Sequence, residues 1–356
     1  MQYLIESQLI LEYTLHRTCV GGNKGIQKDL DDGIDTIGKK MTVCQLYAKQ
    51  IRHRGNVRYN TKNGRKRLMK LLEEDKLGGC PIDSVKLSDA KEWAIRMKEK
   101  GISYKTISND KRSLKAAFYT AIQDDCIRKN PFDFQLNTVI EDDTEPKVPL
   151  TPAQEESFLS FAQNDKVYQK YYDELIILLG TGLRISELCG LTDTDINFEN
   201  RIINVDHQLL RSAETGYYIE TPKTKSGIRQ IPMSEKVYEA FNRVLKRRRG
   251  AKAVTIDGYS NFLFLNRDGY PKTATNYDGM FRGHAKKYNK YHEEALPKVM
   301  TPHTLRHTFC TNMANAGMNP KALQYITGHS NITMTLNYYA HATFDSAKAE
   351  MLRIAA

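Results

Sequence analysis

The residues with the clearest chemical potential lie in one C-terminal stretch, TPHTLRHTFCTNMANAGMNPKALQYITGHSNITMTLNYYAH. His303 and Arg306 are three positions apart, so on a helix both side chains reach a ligand from the same side. His329 directly follows a glycine, and Tyr338 and Tyr339 come shortly after it. An anion flanked by an arginine and two histidines, with a phenol nearby, indicates phosphoryl transfer to a tyrosine.

Residues that typically begin and end helices predict three short helices that would position these side chains. A Thr-Pro pair opens the first over residues 301–317, which ends at a glycine. An Asn-Pro pair opens the second over residues 319–328, and this helix also ends at a glycine. Proline fits the first helical position and glycine the C-terminal stop. The third helix begins near Asn331 and is predicted to carry both tyrosines.

A second arginine suited to an anion lies more than a hundred residues upstream. GTGLRISELCGL places Arg184 at the start of a predicted helix, with Glu187 one turn further on. The planar guanidinium donates bidentately to a phosphate and stays charged. The alternative is a structural ion pair between Arg184 and Glu187, and taken alone this alternative would be preferred.

The motifs H-x-x-R, G-H and Y-x-H, with Arg184 upstream in the same order, resemble the tyrosine recombinase family, which comprises the integrases of phages and conjugative transposons. The likeness is greatest to the conjugative-transposon subgroup of Gram-positive bacteria. The resemblance implies a site-specific recombinase that forms a 3′-phosphotyrosyl link to DNA and integrates and excises a mobile element without metal or ATP.

The resemblance also assigns roles to single residues. Arg184, Arg306 and the histidines would neutralise charge on the phosphate, and His303 is the candidate base. The Y-x-H pattern selects Tyr339 as the nucleophile, whereas counting nine residues from the G-H histidine selects Tyr338.

A lysine on a hairpin of family members protonates the leaving 5′-oxygen. Lys223 is preferred here from its P-K-T context. Lys225, predicted on the same strand face, is a competitor and a DNA-binding candidate.

Composition agrees with a polyanionic partner. The formal charge is +11 and the pI about 9.2, and no apolar run approaches the roughly 20 residues of a membrane span. The first residues lack a signal peptide. Six cysteines show no C-x-x-C spacing, which favours reduced thiols in a bacterial cytoplasm. We expect no metal site and no other cofactor.

The predicted fold is mainly α with a small antiparallel β-sheet (α+β). Residues 1–40 are a lead-in that is short for an arm-binding domain, 41–136 a helical core-binding domain, 137–149 a linker, 150–340 the catalytic domain and 341–356 a tail helix. By resemblance, the two domains form a clamp around DNA. Within residues 200–233, strand-like alternation predicts strands joined by turns, with a small hairpin at 223–227.

The core-binding domain carries nearly all of the excess charge, since residues 41–136 hold 21 lysines and arginines against 11 acidic residues. Helices are predicted over 42–53, 66–74, 88–100 and 103–124, with Ser88 and Ser103 as N-caps. The outward cations of the last helix are the predicted phosphate contacts, the alternative being a solvated face. These cations are Lys105, Lys111, Arg112 and Lys115.

The expected partners are double-stranded DNA at the element ends and target site, further copies of the chain in a tetramer, and an excisionase. The tail helix would dock on a neighbouring protomer or fold back on its own domain. Two other classes share some of these features: a catalytically inactive DNA-binding protein of transposon origin, and a type IB topoisomerase-like enzyme.

Overall fold

The structure is a computed structural model in which two compact units can be described, the first ending at Glu145. It describes residues 38–55, 57–145, 148–222, 224–248, 254–292, 295–297, 299–339 and 351–352. The predicted lead-in and tail therefore lie largely outside the described residues.

The first unit contains four helices: α1 (Val43–His53), α2 (Tyr59–Glu73), α3 (Leu87–Glu99) and α4 (Tyr104–Gln123). Thr42 caps α1 through a reciprocal bond pair with Gln45. Helix α2 begins seven residues earlier than predicted, and α3 begins one residue before Ser88, so the prediction of Ser88 as its N-cap is wrong. The core includes Trp93, which is fully buried and lies edge-on to Phe132.

The predicted linker is partly ordered against this first core. A short 3₁₀ turn spans Leu136–Thr138, and Ile140 is buried in the apolar cluster of the unit. Lys98 also forms an ion pair with Asp143. The chain that joins the two units is therefore shorter than residues 137–149.

The second unit begins with α5 (Pro152–Asn164), α6 (Tyr172–Thr181) and α7 (Ile185–Gly190), and continues with α8 (Glu235–Arg248) and α9 (Ala274–Tyr291). Between α7 and α8 lie five short strands: β1 (Ile196–Asn197), β2 (Ile202–Val205), β3 (Gln208–Ser212), β4 (Gly216–Glu220) and β5 (Arg229–Pro232). Leucine-rich α6 is buried because it packs in the centre of this unit.

Strand pairing differs from the predicted hairpin at residues 223–227. β4 pairs with β3, whereas β5 pairs with β2 in the order β1-β2-β5, so the two strands flanking these residues belong to different sheets. Lys225 begins a 3₁₀ turn, Lys225–Gly227. The argument that placed Lys225 on a strand face is therefore wrong, because the chain crosses between sheets here instead of folding back on itself.

Three C-terminal helices follow the predicted punctuation: α10 (Pro302–Asn315), α11 (Pro320–Thr327) and α12 (Ile332–Leu336). Gly328 ends α11 in the left-handed conformation. Helix α12 ends before Tyr338 and Tyr339, which lie in the following turn. The prediction that α12 carries both tyrosines is wrong, and the helical 100° separation between them does not apply.

Candidate active site

Three arginine side chains converge on the C-terminal end of α11. Arg229 Nε donates to the carbonyl of residue 326 at 2.6 Å, and Arg306 Nη2 donates to that of residue 327 at 2.5 Å. Arg184 Nη2 donates to the carbonyl of residue 328 at 3.0 Å. The last carbonyls of a helix lack intrahelical partners and carry partial negative charge, so they are natural acceptors for cations.

One buried carboxylate lies among these arginines. Glu187 accepts from Arg184 Nη1 at 2.7 Å and from Arg229 Nη2 at 2.8 Å. It also accepts from the backbone N–H of Arg184, because it closes the capping box of α7. The ion pair considered as the alternative role of Arg184 is therefore present, and it orients the guanidinium towards α11.

The cluster has an excess of positive charge, because Glu187 pairs with Arg184 and Arg229, whereas the described hydrogen bonds of Arg306 go to backbone carbonyls. Burial and the neighbouring charge of Arg184 lower the pKa of Arg306 to about 10. Burial alone would raise the pKa of Glu187, but the hydrogen bonds and charge of Arg229, together with the charge of Arg184, lower it to about 2. An anion placed here would relieve the repulsion between the arginines.

His329 lies beside the arginine cluster and is only 4% exposed. Its Nδ1 is 2.9 Å from the hydroxyl of Thr335, which is itself fully buried in α12. Burial, and then the charges of Arg306, Arg184 and Arg229, lower the pKa of His329 to about 4. The neutral imidazole can accept a hydrogen bond from the Thr335 hydroxyl at Nδ1 and present an Nε2–H donor.

His303 and Arg306 occupy the same helix but different environments. Arg306 is buried and also donates to the carbonyl of Gly182 at 2.5 Å, where α6 ends. His303 is exposed in the first turn of α10. The structure thus brings Arg184, Arg306 and His329 together and leaves His303 at the surface.

The two candidate tyrosines make different contacts. Tyr338 lies with its ring centroid 4.9 Å from that of His307 and stacks parallel to His329 at 6.3 Å. Burial and the adjacent Cys310 thiol raise the pKa of Tyr338 to about 12. The Tyr339 hydroxyl donates to the carbonyl of Met318, and burial raises its pKa.

The candidate general acids lie on the loop between β4 and β5. Lys223 falls outside the described residues, and Lys225 is exposed. Gly227, which ends the 3₁₀ turn of this loop, accepts a hydrogen bond from Arg229 Nη1 at 3.0 Å. The loop is thereby attached to the arginine cluster.

Sequence reasoning missed Arg229. Its side chain is completely buried, and it begins β5, where residues alternate between buried and exposed. The sequence feature that could have revealed it is a charged residue at an inward position of the alternating segment R-Q-I-P. A buried arginine is stable only when hydrogen-bond acceptors or a carboxylate surround it.

The predicted DNA-binding cations of the first unit fall into two pairs. Lys105 and Arg112 are exposed on α4. Lys115 forms an ion pair with Asp133 at 2.5 Å, and Lys111 lies 4.4 Å from the centroid of the Phe134 ring. Burial lowers the pKa of Lys111. Two of the four cations are therefore already engaged within the unit.

One group of potential metal ligands occurs in the described part of the chain: Asp195, Asp206 and His207. His207 Nδ1 lies 2.6 Å from Asp206 and its Nε2 lies 2.8 Å from the carbonyl of Gly190. Asp195 accepts from Thr192. These hydrogen bonds give the group a structural role, because His207 connects the end of α7 to the start of β3. Within the same described residues, no helix is long and apolar enough to cross a membrane.

Comparison with known proteins places this site in a family. The model of the phage integrase family matches residues 149–346. The transposase from transposon Tn916 of Enterococcus faecalis is 68% identical over 329 residues, which cover 92% of this chain and 81% of the relative. A XerC-like tyrosine recombinase of Caldanaerobacter subterraneus subsp. tengcongensis is 27% identical, covering 76% and 71%. The chain belongs to the phage integrase family.

Solved structures of similar proteins agree with this family assignment. The Tn1549 transposon integrase in complex with transposon right end DNA has a TM-score of 0.84 and 77% identity, covering 89% of this chain and 100% of that one. A lambda integrase dimer bound to a COC′ core site shares the fold, with a TM-score of 0.60 and 14% identity over 94% and 86%. The predictions of a tyrosine recombinase with a transposon-integrase likeness and an α+β fold are confirmed.

Proposed function

We propose that this recombinase integrates and excises a transposon through a tyrosine bound covalently to DNA, with the scissile phosphate held at the arginine cluster. The observation that carries the proposal is the convergence of Arg184 and Arg306 on neighbouring carbonyls, directly before His329. These donors are fixed before substrate arrives, and buried preorganised donors stabilise developing charge most strongly.

The chemical step is a transfer between two oxygen atoms. The phenolic oxygen of Tyr339 attacks phosphorus and loses its proton to His303 acting as base. The bond between phosphorus and the 5′-oxygen breaks, and Lys223 gives that oxygen a proton. The products are a 3′-phosphotyrosyl link and a free 5′-hydroxyl. Reversal by another 5′-hydroxyl rejoins the strand, so the step needs no external energy source.

Tyr339 is preferred to Tyr338 because its hydroxyl contact is simpler to break. The Tyr339 hydroxyl donates to the backbone carbonyl of Met318, and a side-chain rotation would release it. Tyr338 packs against the rings of His307 and His329 and against the Cys310 thiol, so it lies beside the proposed phosphate site and is the second candidate nucleophile. Both pKa values are raised, so the phenol must lose its proton during attack and needs a nearby base.

In the same proposal, the first unit binds DNA through Lys105 and Arg112, and Lys225 contacts the backbone near the cleavage site. Four copies act on a pair of DNA sites, and an excisionase assists removal of the element. The DNA complexes of the Tn1549 and lambda integrases support the nucleic-acid partner, and the second of these is a dimer.

The test is a covalent adduct on a denaturing gel, formed with nicked duplexes that carry element-end sequences. Wild type and Tyr338→Phe are expected to form the adduct, and Tyr339→Phe is expected to form none. An adduct from Tyr339→Phe that is lost in Tyr338→Phe would reassign the nucleophile. Adduct from neither wild type nor variants, on substrates that the protein binds, would favour an inactive DNA-binding protein.

A further inference from the structure

Arg229 bonds at once to its own loop and to two segments that are distant in the sequence. Its Nε reaches the carbonyl of residue 326 at the end of α11, and its Nη1 reaches the carbonyl of Gly227 at 3.0 Å. Nη1 and Nη2 also bind the two carboxylate oxygens of Glu187 at 3.1 and 2.8 Å. The side chain is fully buried, so water cannot substitute for any of these partners.

Each segment that Arg229 holds carries a residue of the proposed chemistry. Glu187 orients the guanidinium of Arg184 from the first turn of α7. Gly227 closes the turn that contains Lys225 and follows Lys223 in the sequence. The end of α11 leads directly into His329. The segment between β4 and β5, which contains Lys223 and Lys225 in its sequence, is called the lysine loop. Arg229 therefore lies at the junction of the phosphate donors and the lysine loop.

Close packing reinforces this junction. Gly328 has a φ of +63°, and a Cβ there would lie 2.9 Å from the carbonyl oxygen of Ser226 and 3.1 Å from Arg229 Nη1. The lysine loop, the end of α11 and the arginine are thus in mutual contact. A displacement of one moves the other two, because well-packed interiors transmit strain.

We propose that Arg229 is a positioning residue that fixes the lysine loop relative to Arg184, so that the general acid and the phosphate donors act on the same phosphate. It touches no substrate in this assignment and acts through Glu187 and Gly227. The inference rests on the proposed phosphotyrosine chemistry. A lysine at this position keeps the positive charge beside Glu187, but it lacks the planar fork that reaches three segments together.

The first test compares full-length wild type with Arg229→Lys in single-turnover cleavage of nicked DNA at saturating protein. A misplacement of about 1 Å costs about a hundredfold in rate, so we expect Arg229→Lys to cleave about a hundredfold more slowly while its DNA affinity stays within about threefold. Cleavage within about threefold of wild type would overturn the inference.

A structural role alone must be separated from positioning. Lys272 and Glu174 form another buried ion pair in the same unit, at 2.5 Å, and Lys272→Met is the matched control for Arg229→Met. Both variants remove the cation of a buried ion pair, although Glu187 keeps its bonds from Arg184, and both are expected to lower Tm. At equal folded fraction, only Arg229→Met should lose cleavage. Equal losses in the two variants would show a stability effect and contradict positioning.

A substrate with sulfur in place of the 5′-bridging oxygen tests the link to the lysine loop, because a thiolate leaves without being protonated. We expect this substrate to accelerate Arg229→Lys at least about tenfold more than wild type, in parallel with Lys223→Ala. An equal gain in Arg229→Lys and wild type would overturn the link. If wild type forms no adduct with either substrate, the proposed function fails and this inference falls with it.

Discussion

The two units of this protein hold positive charge in opposite ways. The helical unit displays Lys105 and Arg112 on the exposed face of α4, where water and salt screen them. The catalytic unit buries Arg306 and Arg229 against backbone carbonyls and one glutamate. Exposed cations attract DNA of any sequence, whereas buried cations act only on a phosphate that enters the site. Under the proposed function, we expect the first arrangement to govern affinity and the second to govern rate.

The largest effect that this comparison predicts is for Arg306→Ala. Loss of one preorganised donor costs about 3–4 kcal/mol in the transition state, or about 10²–10³-fold in rate. Cleavage at saturating DNA should fall by this factor, measured in single turnovers. DNA affinity should change by less than about threefold, because most phosphate contacts lie elsewhere.

Gly328→Ala should give the next largest loss. The left-handed φ and the 2.9 Å contact with the Ser226 carbonyl leave no unstrained position for a methyl group. We expect a stability loss of about 1–3 kcal/mol and at least about tenfold slower cleavage. Gly317→Ala, which also has a positive φ but an open surrounding, controls for backbone strain alone. Equal cleavage in the two variants would contradict the close packing at α11.

Two buried histidines, one at the arginine cluster and one in the core, should both make the folded protein less stable at low pH. Burial lowers the pKa of both His329 and His284 to about 4, in His329 with help from the arginine charges. Both are neutral when folded, so the stability they allow is full above the unfolded value of about 6.5 and declines as the pH falls towards 4. Denaturant titrations should show that His329→Asn and His284→Phe each reduce the loss between pH 7 and 5 by about 2 kcal/mol.

DNA should distinguish the same two histidines. A phosphate beside Arg306 offsets the positive charge that lowers the pKa of His329, so binding should take up a proton at His329. Wild-type affinity should then rise relative to His329→Asn as the pH falls from 7 to 5.5. His284→Phe should follow wild type, because His284 is enclosed by the rings of Phe158 and Tyr168. An identical pH dependence in all three proteins would contradict a phosphate next to His329.

The smallest effect is expected for the double variant Lys105→Gln/Arg112→Gln. Each lost phosphate contact should lower the slope of affinity against salt by about 1 and weaken binding severalfold. Cleavage by bound protein should be unchanged. Lys115→Gln is the control, because its ammonium is already paired with Asp133. A cleavage defect at saturating DNA would break the separation between affinity and rate.

Local signals in the sequence predicted much of this site. Proline after Thr301 and after Asn319, and the glycine before His329, marked α10 and α11 correctly, because each residue type has a strong backbone preference. The three-residue spacing placed His303 and Arg306 on one helix. The protein class was predicted from the set of motifs in their order, with Arg184 upstream. Taken alone, Arg184 would have been explained equally well by a single ion pair.

Non-local contacts account for what the sequence did not predict. β5 pairs with β2 across the intervening β3–β4 hairpin, and no local pattern around Lys225 reports that partner. In the sequence, Arg229 is one of many cations in a basic chain. Its three partners are brought together only by the fold. Helix α12 stops before Tyr338 although neither glycine nor proline follows it there. Sequence periodicity therefore located the elements but not their pairing.

The most direct test of the central claim uses a methylphosphonate at the cleavage site, where an uncharged methyl group replaces one non-bridging oxygen. If Arg306 neutralises the charge of that phosphate, removing the charge makes the arginine less necessary. Arg306→Ala should cleave the methylphosphonate at least about tenfold faster than the normal phosphate, and wild type should not. Equally slow cleavage of both substrates by Arg306→Ala would contradict a phosphate bound at the arginine cluster.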